Sequence, residues 1–343
     1  MRTKRFRQSI LVMTLGVLLC PLPGQALTIE FAGLEGLVGN LPAVDALTRA
    51  ANQWEAIFVN PMTVNIQTSM SNGGDNFLAF GGGSLVTESY DTVRNALVAD
   101  AMSSPSKDIN TFLPTSSELR FDAPTGISVD TSQVLLSETI AIALDIPVNN
   151  PSPSIIGFNS QFSWDFNRSN GIDPQKFDFE GVAMHEIGHV LGFFYSGIDG
   201  CPQGGDTNCS TVPGIMDLFR FEQGSAPSTP SEFVTFPRSL SPEGGIVFSD
   251  ARSQFAMSTG FSGDGFGAEH WKFSDTGTRI GIMSPTFAPG EKPSIEFPDI
   301  RALELIGYDR SVAAPEPAAM WVVASGLLML AGYAQWSRRR DSY

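Results

Sequence analysis

Apolar and polar residues alternate through "LTIEFAG" (27–33) and again through "MTVNIQTSM" (62–70), the period-two pattern of strands with one buried face. Between them, in "PAVDALTRAANQWEAIFVN" (42–60), Val44, Leu47, Ala51, Trp54 and Phe58 recur at helical spacing behind Pro42, which predicts a helix. Helices are also expected over 90–102 and 137–144, and a strand over 155–166 with Ile156, Phe158, Phe162 and Trp164 on its apolar faces. A further helix is expected around 178–192, with Asp178 as its N-cap and Glu180 complementing its dipole. From Gly197 to about Gly290 the chain is rich in Gly, Ser, Pro and Asp, so loops with short elements are expected, closed by a helix over 298–309. The fold class that follows is α+β: a sheet with helices first, an irregular C-terminal half, and the 178–192 helix between them. "FGGGSL" (80–85) lacks the Lys-Ser/Thr of a phosphate loop and reads as a flexible turn.

The two ends change the picture of where the chain works. Arg2, Lys4, Arg5 and Arg7 precede the apolar run Ile10–Leu19, and Gly24-x-Ala26 follows, so residues 1–26 read as a secretory signal cleaved before Leu27. Beyond the domain expected over 27–310, residues 311–343 hold Pro315-Glu316-Pro317, an apolar stretch from Ala318 to Trp336, and Arg338, Arg339 and Arg340. At 1.5 Å per residue that stretch is about 28 Å long, close to the hydrocarbon thickness of a bilayer, with the arginines on the cytoplasmic side. Cys201 and Cys209 are the two cysteines outside the signal; in an oxidising compartment they are expected to pair. The net charge is −15 although both ends are basic, so the middle is more acidic still, which argues against nucleic acid or anionic lipid as the main partner.

The chemistry is concentrated in "AMHEIGHVLGFFYSG" (183–197). His185 and His189 lie four apart, on one face of a helix, where both imidazoles can meet one zinc ion. Glu186 beside them can take the proton of a water activated by that ion, giving hydrolysis without a covalent intermediate. Gly188 allows close packing beside the metal, and Gly192 ends or turns the helix. A catalytic zinc takes three protein ligands. The chain has three histidines, and the one left is His270, in "EHWKF". Asp217 and Glu222, in "MDLFRFE", are the carboxylate alternatives, and Tyr195 is a third, less suited because an unperturbed phenol titrates at about 10.

These segments carry two resemblances. The last 30 or so residues resemble the PEP-CTERM sorting signal of Gram-negative bacteria. That implies cleavage near Pro317 by a membrane exosortase-type enzyme after transient anchoring, and a destination at the cell surface or its extracellular matrix. H-E-x-x-H-x-x-G resembles the metzincin group of zincin metallopeptidases up to Gly192, and departs from it at Tyr195, where that group places its third ligand. "GFNSQFSWDF", "FDFEGVAMHEIGHVLGF", "MDLFRFE", "EHWKF", "GIMSPTFAPGE" and "DIRALELIGYD" together resemble a metalloprotease family of PEP-CTERM proteins over about 155–309. The resemblance implies a zincin-like fold, zinc, a protein or peptide substrate, and His270 within a shared segment. It also makes Met283, thirteen residues after His270, the candidate for the methionine turn beneath the metal, ahead of Met216. The competing function is a non-catalytic surface or exopolysaccharide-matrix protein with a structural zinc; an intact Glu186 favours the enzyme, because a structural site has no use for it.

Overall fold

The computed structural model describes residues 26–37, 40–74, 77–194, 197, 201, 209–273 and 278–311. The expected signal (1–26, apart from Ala26), the C-terminal tail beyond Ser311 and Tyr195 lie outside them.

In chain order the main elements are β1 (Thr28–Ala32), α1 (Leu41–Ile57), β2 (Thr63–Ser71), β3 (Ala79–Gly82), β4 (Leu85–Ser89), α2 (Tyr90–Ser103), β5 (Gln133–Ser137), α3 (Glu138–Ala143) and β6 (Ser154–Asn159). They continue with α4 (Phe179–Val190), β7 (Arg220–Glu222), α5 (Pro230–Thr235), β8 (Ile246–Ser249), β9 (Gln254–Met257) and α6 (Phe297–Leu305). This is an α+β fold, and the early alternation and helical spacing fall where the hydrophobic pattern places them. Two details differ. The strand expected over 155–166 ends at Asn159, because the Asn159 side chain turns to bind the Gly73 N–H and the Phe77 carbonyl and Trp164 Nε1 donates back to the Asn159 carbonyl. "FGGGSL" is not a free turn: its first glycines belong to β3 and only Gly83 and Ser84 connect to β4.

The main sheet has the order β1-β2-β6-β3, parallel except for β3, which runs antiparallel to β6 with Phe80 opposite Gly157 and Gly81 opposite Ile156. Val64, Ile66, Thr68, Ile156 and Phe158 face inward, while Thr63, Asn65, Gln67 and Ser69 face out. Removing that apolar set from water drives the sheet onto α1 and α4. Trp54 Nε1 donates to the Met184 carbonyl at 3.0 Å, tying the two helices together beneath the sheet.

The C-terminal half holds a three-stranded antiparallel sheet, β7-β8-β9, packed through Phe219, Phe248 and Trp271. Its last strand anchors the segment around His270: the Ser258 N–H donates to the His270 carbonyl and the Lys272 N–H to that of Ala256. After α6, residues 307–309 are stitched to the segment just after α1 by Asn60, which bonds Gly307 and Asp309. Cys201 and Cys209 form a disulfide, the latter in a short strand parallel to Ile127–Val129. Among the described residues no helix is long and apolar enough to cross a membrane.

Candidate metal centre and cleft

All of α4 is buried, yet its apolar stripe alone does not explain the sequence, since Glu180, His185, Glu186 and His189 are buried with it. Asp178 occupies the N-cap position without capping; its carboxylate pairs instead with Arg168 at 3.1 Å, and burial pushes its carboxyl up to about 6. Glu180 pairs with Arg49 at 2.7 Å. At the other end Gly192 takes φ +116°, a left-handed conformation that only glycine adopts freely, and its missing Cβ leaves room for Ile140. The turn it makes brings the Phe193 carbonyl back to accept from His189 Nδ1.

His185, His189 and His270 come together, each with a ligand nitrogen within 4.8 Å of the others. The His270 ring stacks on His185 at 5.2 Å between centroids and meets His189 edge-on at 4.9 Å. His270 reaches this place from outside the helix. Arg220, fully buried on β7, donates to the carbonyls of Ser258 and Ala268 at 2.8 and 3.0 Å and so shapes the loop that leads into it. Asp217 and Glu222 are not part of the cluster: the Asp217 carboxylate accepts from the N–H groups of Gly197 and Gly214, both at 2.7 Å, and Glu222 is exposed on β7. Met283 is buried against α4, its sulfur 2.3 Å from where a Cβ on Gly188 would stand; Met216 lies in a separate 3-10 turn, Ile215–Phe219.

The donor set fits a zinc ion, and the hydrogen bonds say why. His185 Nδ1 meets the Ile282 carbonyl at 2.8 Å, His189 Nδ1 that of Phe193, and His270 Nδ1 that of Gly267 at 3.1 Å, with a Glu269 carboxylate oxygen at 3.2 Å. A carbonyl only accepts, so each Nδ1 carries a proton, which in a neutral ring leaves the lone pair on Nε2. Burial holds His185 well below its ordinary pKa and brings His189 down to about 4, so both rings are neutral. Their Nε2 atoms nevertheless face each other at 3.0 Å. Two lone pairs at that distance repel unless a cation lies against both. Tetrahedral zinc with bonds of about 2.0–2.1 Å sets its nitrogens about 3.3 Å apart, close to this spacing.

Glu186 adjoins the cluster but is not one of the three nitrogen donors. Burial alone raises its carboxyl to about 8, so it is a stronger base than an exposed glutamate. The backbone of β3 passes directly over it: a Cβ on Gly81 would lie 3.0 Å from Glu186 Oε2 and 2.7 Å from its carbonyl oxygen. That close approach is what the first glycine of the triplet is for. The three histidines and Glu186 open onto a cleft of about 660 Å³, walled by Phe77–Gly81 on one side and by Pro285–Phe287, Glu269 and Phe266 on the other.

One residue behind the site escaped the sequence reading. The buried carboxylate of Asp299, in the first turn of α6, accepts four N–H donors: Trp271 Nε1 at 2.7 Å, Ile282 and Glu296 at 2.8 Å, and Met283 at 3.1 Å. It therefore holds the neighbour of His270 and the turn whose Ile282 carbonyl orients His185. Only its helix-capping bond to Glu296 was readable, from an aspartate one residue after Pro298. Burial pushes its carboxyl up to about 6 against the pull of these donors, so it is ionised at neutral pH. Asp299→Asn sets an amide nitrogen against N–H groups and is expected to destabilise the protein by about 3 kcal/mol or more, read as a lower denaturant midpoint with an unchanged slope.

No family model matches this chain, and neither does any curated protein or solved structure.

Proposed function

We propose that this protein is an exported zinc-dependent endopeptidase with a zincin-like site. One observation carries the reading: two neutral imidazoles with Nδ1–H committed to carbonyls aim their Nε2 lone pairs at one point, 3.0 Å apart, with a third imidazole beside them. Bound there, zinc supplies a Lewis acid and lowers the pKa of a water. His185, His189 and His270 hold it, each ring fixed from behind by a backbone carbonyl. Glu186 takes the proton from the attacking water and delivers it to the leaving amine.

The cleft supports a peptide as substrate. β3 ends the main sheet, and no strand pairs with its outer edge among the described residues. An extended peptide laid along that edge hydrogen-bonds through its backbone whatever its sequence, and Gly81 brings it over Glu186. Among the described residues no fourth His, Cys, Asp or Glu joins the three histidines, which favours a catalytic site over a closed structural one. The Cys201–Cys209 disulfide supports work outside the cytoplasm, in line with a secretory signal and a PEP-CTERM tail handled by an exosortase.

Metal analysis and turnover of the purified full-length protein test this together. The expected result is one zinc per chain, with peptide cleavage abolished by a chelator and restored by zinc. A zinc-loaded protein that cleaves nothing in a diverse peptide library would favour the non-catalytic matrix protein instead.

A further inference from the structure

A second apolar cavity lies next to the cleft, on the far side of the glycine triplet. It measures about 370 Å³ and is lined by residues 80–84 together with Pro153, Ile155 and Phe194. Phe80, Gly81 and Phe194 line both spaces, so the two adjoin at β3. Among the described residues no charged one lines the second.

Its walls are unusual for where they lie. The outer face of the sheet is polar along β2, yet on β6 and β3 it presents Ile155 and Phe80, about half exposed. The glycines make this surface. The Phe80 ring lies over Gly157, where a Cβ would come within 2.4 Å of it. A Cβ on Gly82 would stand 3.0 Å from the Phe194 ring, so the bare strand lets that ring close the cavity from behind. A monomer gains nothing in stability from leaving such a patch uncovered; contiguous exposed apolar surface marks binding.

We infer that this cavity is a remote subsite of the proposed peptidase, taking a bulky apolar side chain of the substrate two or three residues from the scissile bond. The inference rests on the peptidase reading and goes beyond it by naming what the substrate carries. The occupant follows from this adjacency: a peptide paired along β3 crosses Glu186 at Gly81 and runs on toward Gly83. Gly81 faces Glu186, whereas Phe80 and Ile155 lie on the opposite face of the sheet; neighbouring residues of a strand alternate faces, so the residue three along from the one opposite Gly81, about 10 Å away at about 3.3 Å per residue, turns toward the cavity. The side chain placed there meets Phe80, Ile155 and Phe194 and finds no ion pair.

The test uses zinc-loaded full-length protein and a peptide set that differs only two and three residues either side of the scissile bond, carrying Phe, Leu, Ser or Asp there. Products are mapped by mass spectrometry. On one side of the bond, Phe or Leu should raise kcat/KM roughly tenfold over Ser or Asp. Ile155→Asp should bring that ratio close to one while the preference at the residues flanking the scissile bond persists. The ratio is read within each variant, so loss of folded protein does not alter it. Equal cleavage of all peptides by the unaltered protein, or a preference that survives Ile155→Asp, overturns the subsite and leaves the peptidase standing. A dimer in solution that Ile155→Asp dissociates assigns the patch to a second copy of the chain and likewise overturns it. No cleavage of any peptide at full zinc loading removes both readings.

Discussion

Replacing Glu186 with Gln is expected to leave zinc bound and to lower peptide hydrolysis roughly a hundred- to ten-thousandfold, the range of a lost general base. Glutamine keeps the shape and fills the same space beneath Gly81, but cannot take a proton from water. The three imidazoles do not depend on Glu186 for their orientation, since each is held from behind by a carbonyl. Stability offers a second readout. Burial raises the Glu186 pKa, so ionising it costs the fold stability, a cost that an uncharged glutamine does not carry. The Gln variant should therefore melt no lower than the parent, as expected where activity is maintained against stability. Zinc content, turnover and melting temperature measured on one preparation separate the outcomes. Turnover at the parental rate would remove Glu186 from the mechanism.

The second large effect concerns His270. Its loss takes away one of three nitrogens, and His270→Ala is expected to weaken zinc binding by more than the roughly 10–100-fold typical of losing a partner behind a ligand. Peptide cleavage should fall with it. Glu222→Ala is the comparison, since Glu222 is exposed and outside the cluster. Competition against a chromogenic chelator measures both. If Glu222→Ala releases zinc and His270→Ala does not, the third ligand is misassigned.

How far the site could be read ahead of the structure differs residue by residue. His185 and His189 were legible because their relation is local: four residues on a helix make one face, and the spacing is set by the backbone alone. β2 and α1 were legible for a similar reason, since one-sided burial imprints a period of two or 3.6 on the chain. His270 was the candidate left because histidines are so few, but nothing in "EHWKF" itself brings it to the helix. That depends on the loop carbonyls bound by Arg220, on the pairing of Ser258 with His270, and on the grip of Asp299 on Trp271. Each contact joins residues far apart in the chain and leaves no periodic trace.

"FGGGSL" marks the limit most clearly. Three glycines in a row read locally as a loop, because glycine loses the most conformational freedom on ordering. In the folded protein they have a tertiary use: Gly81 lets a strand pass over Glu186, and Gly82 lets Phe194 close on it. The amino-acid order by itself determined the motif helix, the early strands and helices, and which few side chains were available for the chemistry, because those follow from local geometry and composition. Only the tertiary structure decided which imidazole joins the pair, which carboxylate holds the loops behind it, and which strand forms the free edge of the cleft. Those are set by close approach between distant segments, where a missing Cβ or one buried guanidinium determines what can touch.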